Sequence, residues 1–139
     1  MYKLGDTVKQ TISFSEGDVK AFSELTGDQN PIHTDSEFAL HTANSRMLVQ
    51  GNFVISSFSR ILGNLYPGET LVVNKQAMFI RPIFVGDTYS MSVKLTSVQV
   101  SDNTALFTCI LKNLAGKTCV YYKCRLKNTS VFKNGFTDE

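Results

Sequence analysis

A carboxylate and an imidazole stand five positions apart in the segment GDQNPIHTD, residues 27–35. Side chains of these two kinds, here Asp28 and His33, are among those that most often transfer protons in enzyme active sites. An imidazole gains and loses its proton near neutral pH, and His33 is one of only two histidines in the chain. The segment is therefore a candidate for general acid/base chemistry.

The step from Asn30 to Pro31 controls how this segment folds. Pro31 has no N–H and drives the residue before it towards an extended conformation, so an ordinary helix cannot run from Asp28 to His33. Asn30 favours a turn there, because its amide can hydrogen-bond nearby backbone. On these nine residues alone, a simple helix exit with a capping turn, followed by His33 as the first residue of the next element, is the favoured interpretation. A calcium loop starting at Asp28 is excluded, since its sixth and twelfth positions would need Gly and Glu, and the twelfth is Ala39.

The elements before and after this segment can be predicted from local patterns. Residues 7–14 alternate between apolar and polar side chains, which indicates a strand. Ser15 then begins a helix as its N-cap. The buried face of that helix is predicted to contain Val19, Phe22 and Leu25. A second short helix is predicted over residues 36–40, with His41 at its end as a surface or capping residue.

Residues 51–65 predict a helix that is buried on nearly all sides, because its apolar residues are not confined to one stripe. The stripe consists of Val54, Phe58, Ile61, Leu62 and Leu65, and Phe53 and Ile55 lie outside it. The helix begins at Gly51, where no side chain hinders the approach of a ligand oxygen to the free N–H groups. The sequence Tyr66-Pro67-Gly68 is a stop signal.

The rest of the chain predicts strands. They are expected at residues 71–80, 89–96, 105–112 and 117–127. Short turns at residues 85–87, 101–103 and 115–116 join them, which predicts an antiparallel meander. The simplest architecture wraps this sheet around the helix that starts at Gly51. Residues 1–129 then form one domain, and residues 130–139 are predicted to be a tail.

Composition limits the class of protein. The chain has 139 residues, of which 42% are apolar and 19% charged, as expected for one globular domain. No apolar run approaches the roughly 18 residues of a membrane span, and the N-terminus lacks the apolar core of a signal peptide. The three cysteines form no CxxC pair and are odd in number, so neither a zinc site nor a disulfide framework is predicted. A cytoplasmic protein is expected.

Charge is unevenly distributed along the chain. Residues 1–50 contain four Lys and Arg against seven Asp and Glu, whereas residues 51–139 contain ten against five. The basic part could meet a phosphorylated ligand or an acidic protein, or simply form a solvated strand face, which we favour. No aromatic residues alternate with these charges, as a platform for single-stranded nucleic acid would require. Nucleic-acid binding is therefore not expected.

Several motifs together resemble the signature of MaoC-like dehydratases and (R)-specific enoyl-CoA hydratases. The most specific is Asp28-x-Asn30-Pro31-x-His33, and Pro82-x-x-x-Gly86-Asp87 is a second. The resemblance extends over residues 4–127. It implies an α+β hot-dog domain, in which an antiparallel sheet wraps around a central buried helix and an overhanging helical segment carries the Asp/His site.

The resemblance also implies roles for individual residues. Asp28 and His33 would be the catalytic pair that activates a water, and Asn30 would shape the turn between them. The backbone N–H of Gly51, at the start of the central helix, would polarise a thioester carbonyl. Ser59 would support the histidine.

The expected activity is hydration of 2-enoyl thioesters of CoA or acyl carrier protein, or the reverse dehydration. The resemblance implies no cofactor, no metal, no membrane partner, and a homodimer, or a higher oligomer, whose sheets join edge to edge. One departure stands before the central helix, where the family pattern Ile-Val-His-Gly-Met is replaced by residues 48–52, LVQGN. Gln50 and Asn52 make the surroundings of Gly51 richer in amides, which bears on the acyl-chain preference.

Two other functions remain compatible with the sequence. A hot-dog thioesterase also polarises a thioester, but it directs water at the carbonyl carbon. A non-catalytic acyl-binding subunit is the second alternative, and Gln50 and Asn52 are the features that favour it.

Overall fold

The structure is a computed structural model that describes residues 3–66 and 68–134. Within these residues, one sheet contains five strands: β1 (Thr7–Ser13), β2 (Leu71–Phe79), β3 (Thr88–Gln99), β4 (Thr104–Lys112) and β5 (Thr118–Lys127). Helical segments are α1 (Glu16–Thr26), α2 (Pro31–Thr34), α3 (Ser36–Leu40), α4 (Gly51–Ser57) and α5 (Ser59–Leu62). Two 3₁₀ turns are present at Val100–Asp102 and Phe132–Asn134.

The strands are ordered β1-β3-β4-β5-β2, and every neighbouring pair is antiparallel. β3, β4 and β5 form the predicted meander. β2 does not belong to it, because β2 pairs with β5 instead of with β3. The predicted turn at residues 85–87 is therefore part of a crossover from one side of the sheet to the other, and β2 is left as an edge strand.

The central helical segment packs against one face of the sheet. Val54 of α4 and Phe58, just after it, are fully buried. The ring of Phe58 stacks on Tyr122 of β5, with 5.4 Å between the ring centroids. Sheet residues of the same core include Met91, Val93, Leu95, Phe107, Cys109, Leu111, Val120 and Cys124. The predicted arrangement of a sheet wrapped around a buried helix is confirmed.

The prediction of one helix over residues 51–65 is wrong in two respects. The helix breaks at Phe58, whose N–H bonds to Ile55 O at 3.1 Å and so tightens the chain to a three-residue turn. It is also open on one side, where Asn52, Ser56 and Arg60 are exposed. These three residues recur every four positions, so they form a polar stripe along the solvent side of the helix.

In α1 the buried face differs from the predicted one. Val19 is fully buried, but Leu25 is 84% exposed. Six residues separate the two, which places Leu25 on another side of a helix with 3.6 residues per turn. Ser23, four residues after Val19, takes a place on the buried face.

The predicted tail starts too early. Phe132 is fully buried, and its ring packs edge-on against Tyr66 with 5.0 Å between centroids. The chain therefore contributes to the core beyond residue 129. Residues 135–139 of the predicted tail, and Pro67 of the predicted stop signal, lie outside the described residues.

Candidate active site

The segment that carries Asp28 is fixed by the end of α1. A capping box holds the start of this helix, in which Ser15 Oγ accepts from Asp18 N–H and Ser15 N–H donates to Asp18 Oδ2. Gly27 ends it at φ 80°, in the left-handed region that glycine enters without strain, and its N–H bonds to Ser23 O. Asp28 is thus the first residue after a helix with two defined ends.

Asp28 is held by its own backbone and by one of its two oxygens. Its N–H donates to Thr26 Oγ1 at 3.3 Å, and its Oδ1 accepts from Asn30 N–H at 3.1 Å. Asn30 in turn is the N-cap of α2, and its Oδ1 accepts from Ile32 N–H at 3.2 Å. The turn predicted at Asn30 is therefore present. It leaves Asp28 Oδ2 available for a ligand.

His33 lies in α2 and faces Asp28. Its Nε2 is 3.9 Å from Asp28 Oδ2, and the histidine side chain is 13% exposed against 46% for the aspartate. Its other ring nitrogen, Nδ1, is 2.7 Å from Leu48 O. A carbonyl only accepts, so Nδ1 donates to Leu48 O, and in the neutral tautomer Nε2 is left as an acceptor that faces Asp28. Asp28 and His33 are brought together as predicted.

Leu48 connects this pair with the start of the central helix. Its N–H donates to Ile32 O at 3.1 Å, and the next residue, Val49, donates to Ile83 O at 2.8 Å. The segment therefore runs between α2 and the crossover that leads to β3. Gly51 follows three residues after Leu48, and three residues of chain span at most about 10 Å. The start of α4 therefore follows closely, along the chain, on the carbonyl that holds the imidazole.

Gly51 is the first residue of α4, and Gln50 gives this helix no side-chain cap. Within the described chain, the Gly51 N–H has no hydrogen-bond partner. The ring of Phe79 covers the position where a side chain would be, since a Cβ on Gly51 would lie 2.9 Å from Phe79 Cζ. A side chain at position 51 would therefore require the Phe79 ring to move.

Two open cavities adjoin these residues in a single chain. His33 lines one of about 530 Å³ together with Lys20, Ser23 and Gln29. Gly51 lines a separate one of about 330 Å³, and Phe79 lies on its wall. His33 and Gly51 thus line two different cavities, with Met47 on the wall of the first and Leu48 on the wall of the second.

The turn that leads into this segment is held by an ion pair. Arg46 donates to both carboxylate oxygens of Asp87, at 3.0 and 2.7 Å, and to Val85 O at 3.2 Å. The Arg46 hydrogen bonds hold the pKa of Asp87 below its usual range. Both side chains are nearly half exposed, so solvent screening leaves the pair a modest contribution to stability.

The cysteines take no part in this site. Cys109, Cys119 and Cys124 are free and buried. Burial raises the pKa of each thiol, so the thiols remain protonated and are poor nucleophiles. Among residues 3–66 and 68–134, no three His, Cys, Asp or Glu side chains form a group suited to a metal ion. None of the described helices has the length and apolar character needed to cross a membrane.

Comparison with known proteins identifies the family. The sequence model of the MaoC like domain matches residues 3–113 of the chain. The chain belongs to the MaoC-like domain family.

Relatives of this MaoC-like domain include named enzymes. It is 33% identical over 107 residues to the (R)-specific enoyl-CoA hydratase of Aeromonas caviae, which covers 76% of this chain and 80% of that protein. It is 34% identical over 103 residues to the mitochondrial 3-hydroxyacyl-(acyl-carrier-protein) dehydratase FERN of Solanum lycopersicum, covering 74% of this chain. The match spans only 62% of that plant protein.

A solved structure supports the same assignment of fold. The (R)-hydratase from A. caviae involved in PHA biosynthesis superposes with a TM-score of 0.84 at 30% sequence identity. The superposition covers 90% of this chain and 96% of that one. The predicted hot-dog fold and the predicted family are therefore confirmed.

Ser59 does not have the position that the resemblance implied. It forms no hydrogen bond with His33 in the described chain, and it lines a third cavity of about 140 Å³ with Leu62, Tyr122 and Leu126. The carbonyl of Leu48 supports His33 instead. A main-chain acceptor has no sequence signature, so sequence reasoning could not find it.

Residues 48–52, where the sequence departs from the family pattern, are expected to place two amides around Gly51, and the structure differs for one of them. Asn52 is exposed, whereas Gln50 is 2% exposed and points at α1. Gln50 therefore does not add an amide to the surface around Gly51. Its buried position is a detail that the sequence pattern missed.

Proposed function

We propose that this MaoC-like domain catalyses the (R)-specific hydration of 2-enoyl thioesters and the reverse dehydration of (R)-3-hydroxyacyl thioesters. The proposal rests on one observation, the 3.9 Å approach of Asp28 Oδ2 and His33 Nε2. Both side chains are anchored through their other polar atom, Asp28 by Asn30 and His33 by Leu48. Two proton acceptors are thus fixed side by side. The (R) specificity and the thioester class of the substrate are inferred from the names of the relatives.

The pair is spaced for one water molecule. A separation of 3.9 Å is too long for a direct hydrogen bond. A water at about 2.8 Å from each atom would donate one proton to Asp28 and one to His33, with an angle of about 90° between the two bonds. Its oxygen lone pairs would then point away from both groups. This is the orientation needed to attack a carbon atom.

Hydration can be written with these groups and no other reagent. The water oxygen bonds to the β-carbon of the enoyl group, and one water proton moves to the coupled Asp28/His33 pair. The π electrons move towards the thioester carbonyl, whose oxygen gains negative charge and accepts from the Gly51 N–H. The α-carbon then takes a proton from the pair. The pair returns to its starting state, and the second water proton stays on the new hydroxyl.

The proposal is tested with a purified wild-type chain and crotonyl-CoA. We expect the enoyl absorbance to fall and a 3-hydroxy product of (R) configuration to form. A thiol reagent in a parallel reaction should detect no free CoA. Release of thiol without loss of the enoyl group would instead identify a thioesterase, and tight binding with no turnover would identify an acyl-binding subunit. Repeating the assay with an acyl-carrier-protein thioester determines the carrier.

We also propose that the chain forms a homodimer through β2. This strand pairs with β5 on one side only, and its apolar residues are exposed. They include Leu71, Val72, Val73, Met78 and Phe79, at 48–62% exposure. An unpaired, apolar edge strand is a template for pairing with another strand. A second copy of β2 would complete the sheet.

The dimer is tested by light scattering at micromolar concentration. We expect a mass of twice the chain, and we expect Met78→Lys to shift the equilibrium to monomer, because it places a charge on the proposed edge. Thr11→Lys is the matched control, since it adds the same charge to β1 at the opposite edge. A wild-type monomer, or equal effects of the two substitutions, would contradict the proposal.

A cytoplasmic location is proposed as well. The three free, buried thiols are compatible with a reducing compartment. Recovery of the protein from an oxidising compartment in a cell fractionation would contradict it.

A further inference from the structure

Gln50 is a buried amide with an incomplete set of hydrogen bonds. Its Nε2 donates to Val19 O at 2.9 Å and to Ser23 Oγ at 2.8 Å, and both acceptors belong to α1. Its Oε1 is buried and has no partner among the described residues. The amide cannot be turned round to relieve this, because Val19 O can only accept and therefore requires the nitrogen.

Packing alone does not explain this arrangement. A buried acceptor without a partner lowers the stability of the folded state. The two groups that Gln50 contacts do not need it, because Ser23 lies four residues after Val19. The Ser23 hydroxyl can rotate to donate to Val19 O along the helix. An apolar side chain of the same size at position 50 would therefore leave every remaining polar group satisfied.

Gln50 connects the two halves of the site. Its peptide bond to the next residue supplies the Gly51 N–H on one side, and on the other its C=O accepts from Val54 N–H at 3.1 Å. Its side chain holds α1 at Val19 and Ser23. The other end of α1 leads to Asp28, whose N–H bonds to Thr26 Oγ1. One residue thus belongs to the start of α4 and holds the helix that leads to Asp28.

We propose that Gln50 is a positioning residue for the hydration reaction, a role that rests on the proposed function. Its amide holds the Gly51 N–H in a defined position relative to the end of α1 that leads to Asp28. The unpartnered Oε1 is the cost of this arrangement in folding stability. Such a residue affects the transition state more than substrate binding. Its loss lowers kcat and leaves KM and folding nearly unchanged.

The test is Gln50→Met, which keeps the length of the side chain and removes both donors and the unpartnered oxygen. We expect kcat for crotonyl-CoA hydration to fall by about 10- to 100-fold, because small misplacements of reacting groups cost this much. KM is expected to stay within about twofold. The melting temperature should be equal to or higher than that of the wild type. Gln10→Met makes the same chemical change at an exposed position of β1 and is the control.

Gln50→His tests rescue. An imidazole N–H can donate to Val19 O or Ser23 Oγ, and it brings no carbonyl oxygen. We expect it to restore most of the kcat that Gln50→Met loses. Ser23→Ala removes one of the two acceptors and should give a kcat between those of the wild type and Gln50→Met. This variant tests the proposal even if Gln50→Met does not fold.

The outcomes separate the two proposals. A Met variant with a lowered melting temperature and wild-type kcat per folded molecule would show a purely structural role and overturn the inference. A loss of kcat that Gln50→His does not restore would also overturn it. A wild-type chain that binds enoyl-CoA without hydrating it would refute the proposed function itself, independently of any Gln50 variant.

Discussion

Replacement of His33 by alanine is expected to lower kcat for crotonyl-CoA hydration by about 10²- to 10⁴-fold, the usual contribution of a positioned acid/base group. The substitution removes Nε2, which faces Asp28 Oδ2 at 3.9 Å, and leaves the water with one acceptor. Asp28→Asn is expected to have a similar effect. Its new side chain can still accept from Asn30 N–H through an oxygen and so keep the turn, but its amide cannot accept a proton from water.

Matched controls are available for both changes. His41 is the other histidine; it caps the end of α3 and is exposed, so His41→Ala should leave kcat unchanged. Asp102→Asn is the carboxylate control, because Asp102 lies in the turn between β3 and β4 and its Oδ1 accepts from Thr104 Oγ1, away from His33. Initial rates are measured with each variant, and circular dichroism confirms that each is folded.

The double variant gives a stricter test of a coupled pair. If Asp28 and His33 hold one water together, Asp28→Asn combined with His33→Ala should lose little more activity than either single change. Multiplied losses would show that the two groups act independently. Wild-type turnover by either single variant would refute the site assignment.

Those parts of the site that depend on neighbouring residues could be predicted from the sequence. The capping box at Ser15 and the turn at Asn30 are both satisfied by groups two or three positions away. The same holds for the strands, whose alternation reports which face is buried. The approach of Asp28 to His33 follows from such a local turn.

Contacts between distant segments could not be predicted in this way. Gln50 can be buried because Val19 O and Ser23 Oγ accept its amide protons. These two acceptors lie 31 and 27 residues earlier in the chain. The support of His33 by Leu48 O is a main-chain contact across 15 residues. The pattern of apolar and polar residues within one helix or strand does not specify such contacts.

The edge position of β2 and the burial of Phe132 have a similar origin. β2 is separated in sequence from β5, its only neighbour among the described strands, and alternation within a strand does not specify its partner. Phe132 and the preceding Val131 follow a short polar sequence and show no periodicity, yet Phe132 packs against Tyr66. Both features depend on contacts between segments that are far apart in the sequence.

The second large effect is expected at Gly51, where the proposed oxyanion donor is a backbone N–H. Proline removes this N–H, and it is tolerated at the first position of a helix because that N–H has no partner within the helix. The preceding residue, Gln50, has φ −58° and ψ 133°, which suits a residue before proline. We therefore expect α4 to form normally in the Gly51→Pro variant.

Gly51→Ala is the matched control for this change. Alanine and proline both add a Cβ, which would lie 2.9 Å from Phe79 Cζ and force the ring to move. Phe79 is 51% exposed, so its ring has room to shift. Only proline also removes the N–H. The ratio of kcat between the two variants therefore isolates the hydrogen bond from the crowding.

We expect Gly51→Pro to have about 10²- to 10³-fold lower kcat than Gly51→Ala, the usual cost of losing one donor to a developing oxyanion. Repeating the comparison in a Phe79→Ala background removes the crowded ring and should leave the ratio unchanged, because the ring contributes no hydrogen bond. Equal kcat values for the two Gly51 variants would show that the carbonyl oxygen is stabilised elsewhere. The acid/base pair would then have to act on a substrate bound away from the start of α4.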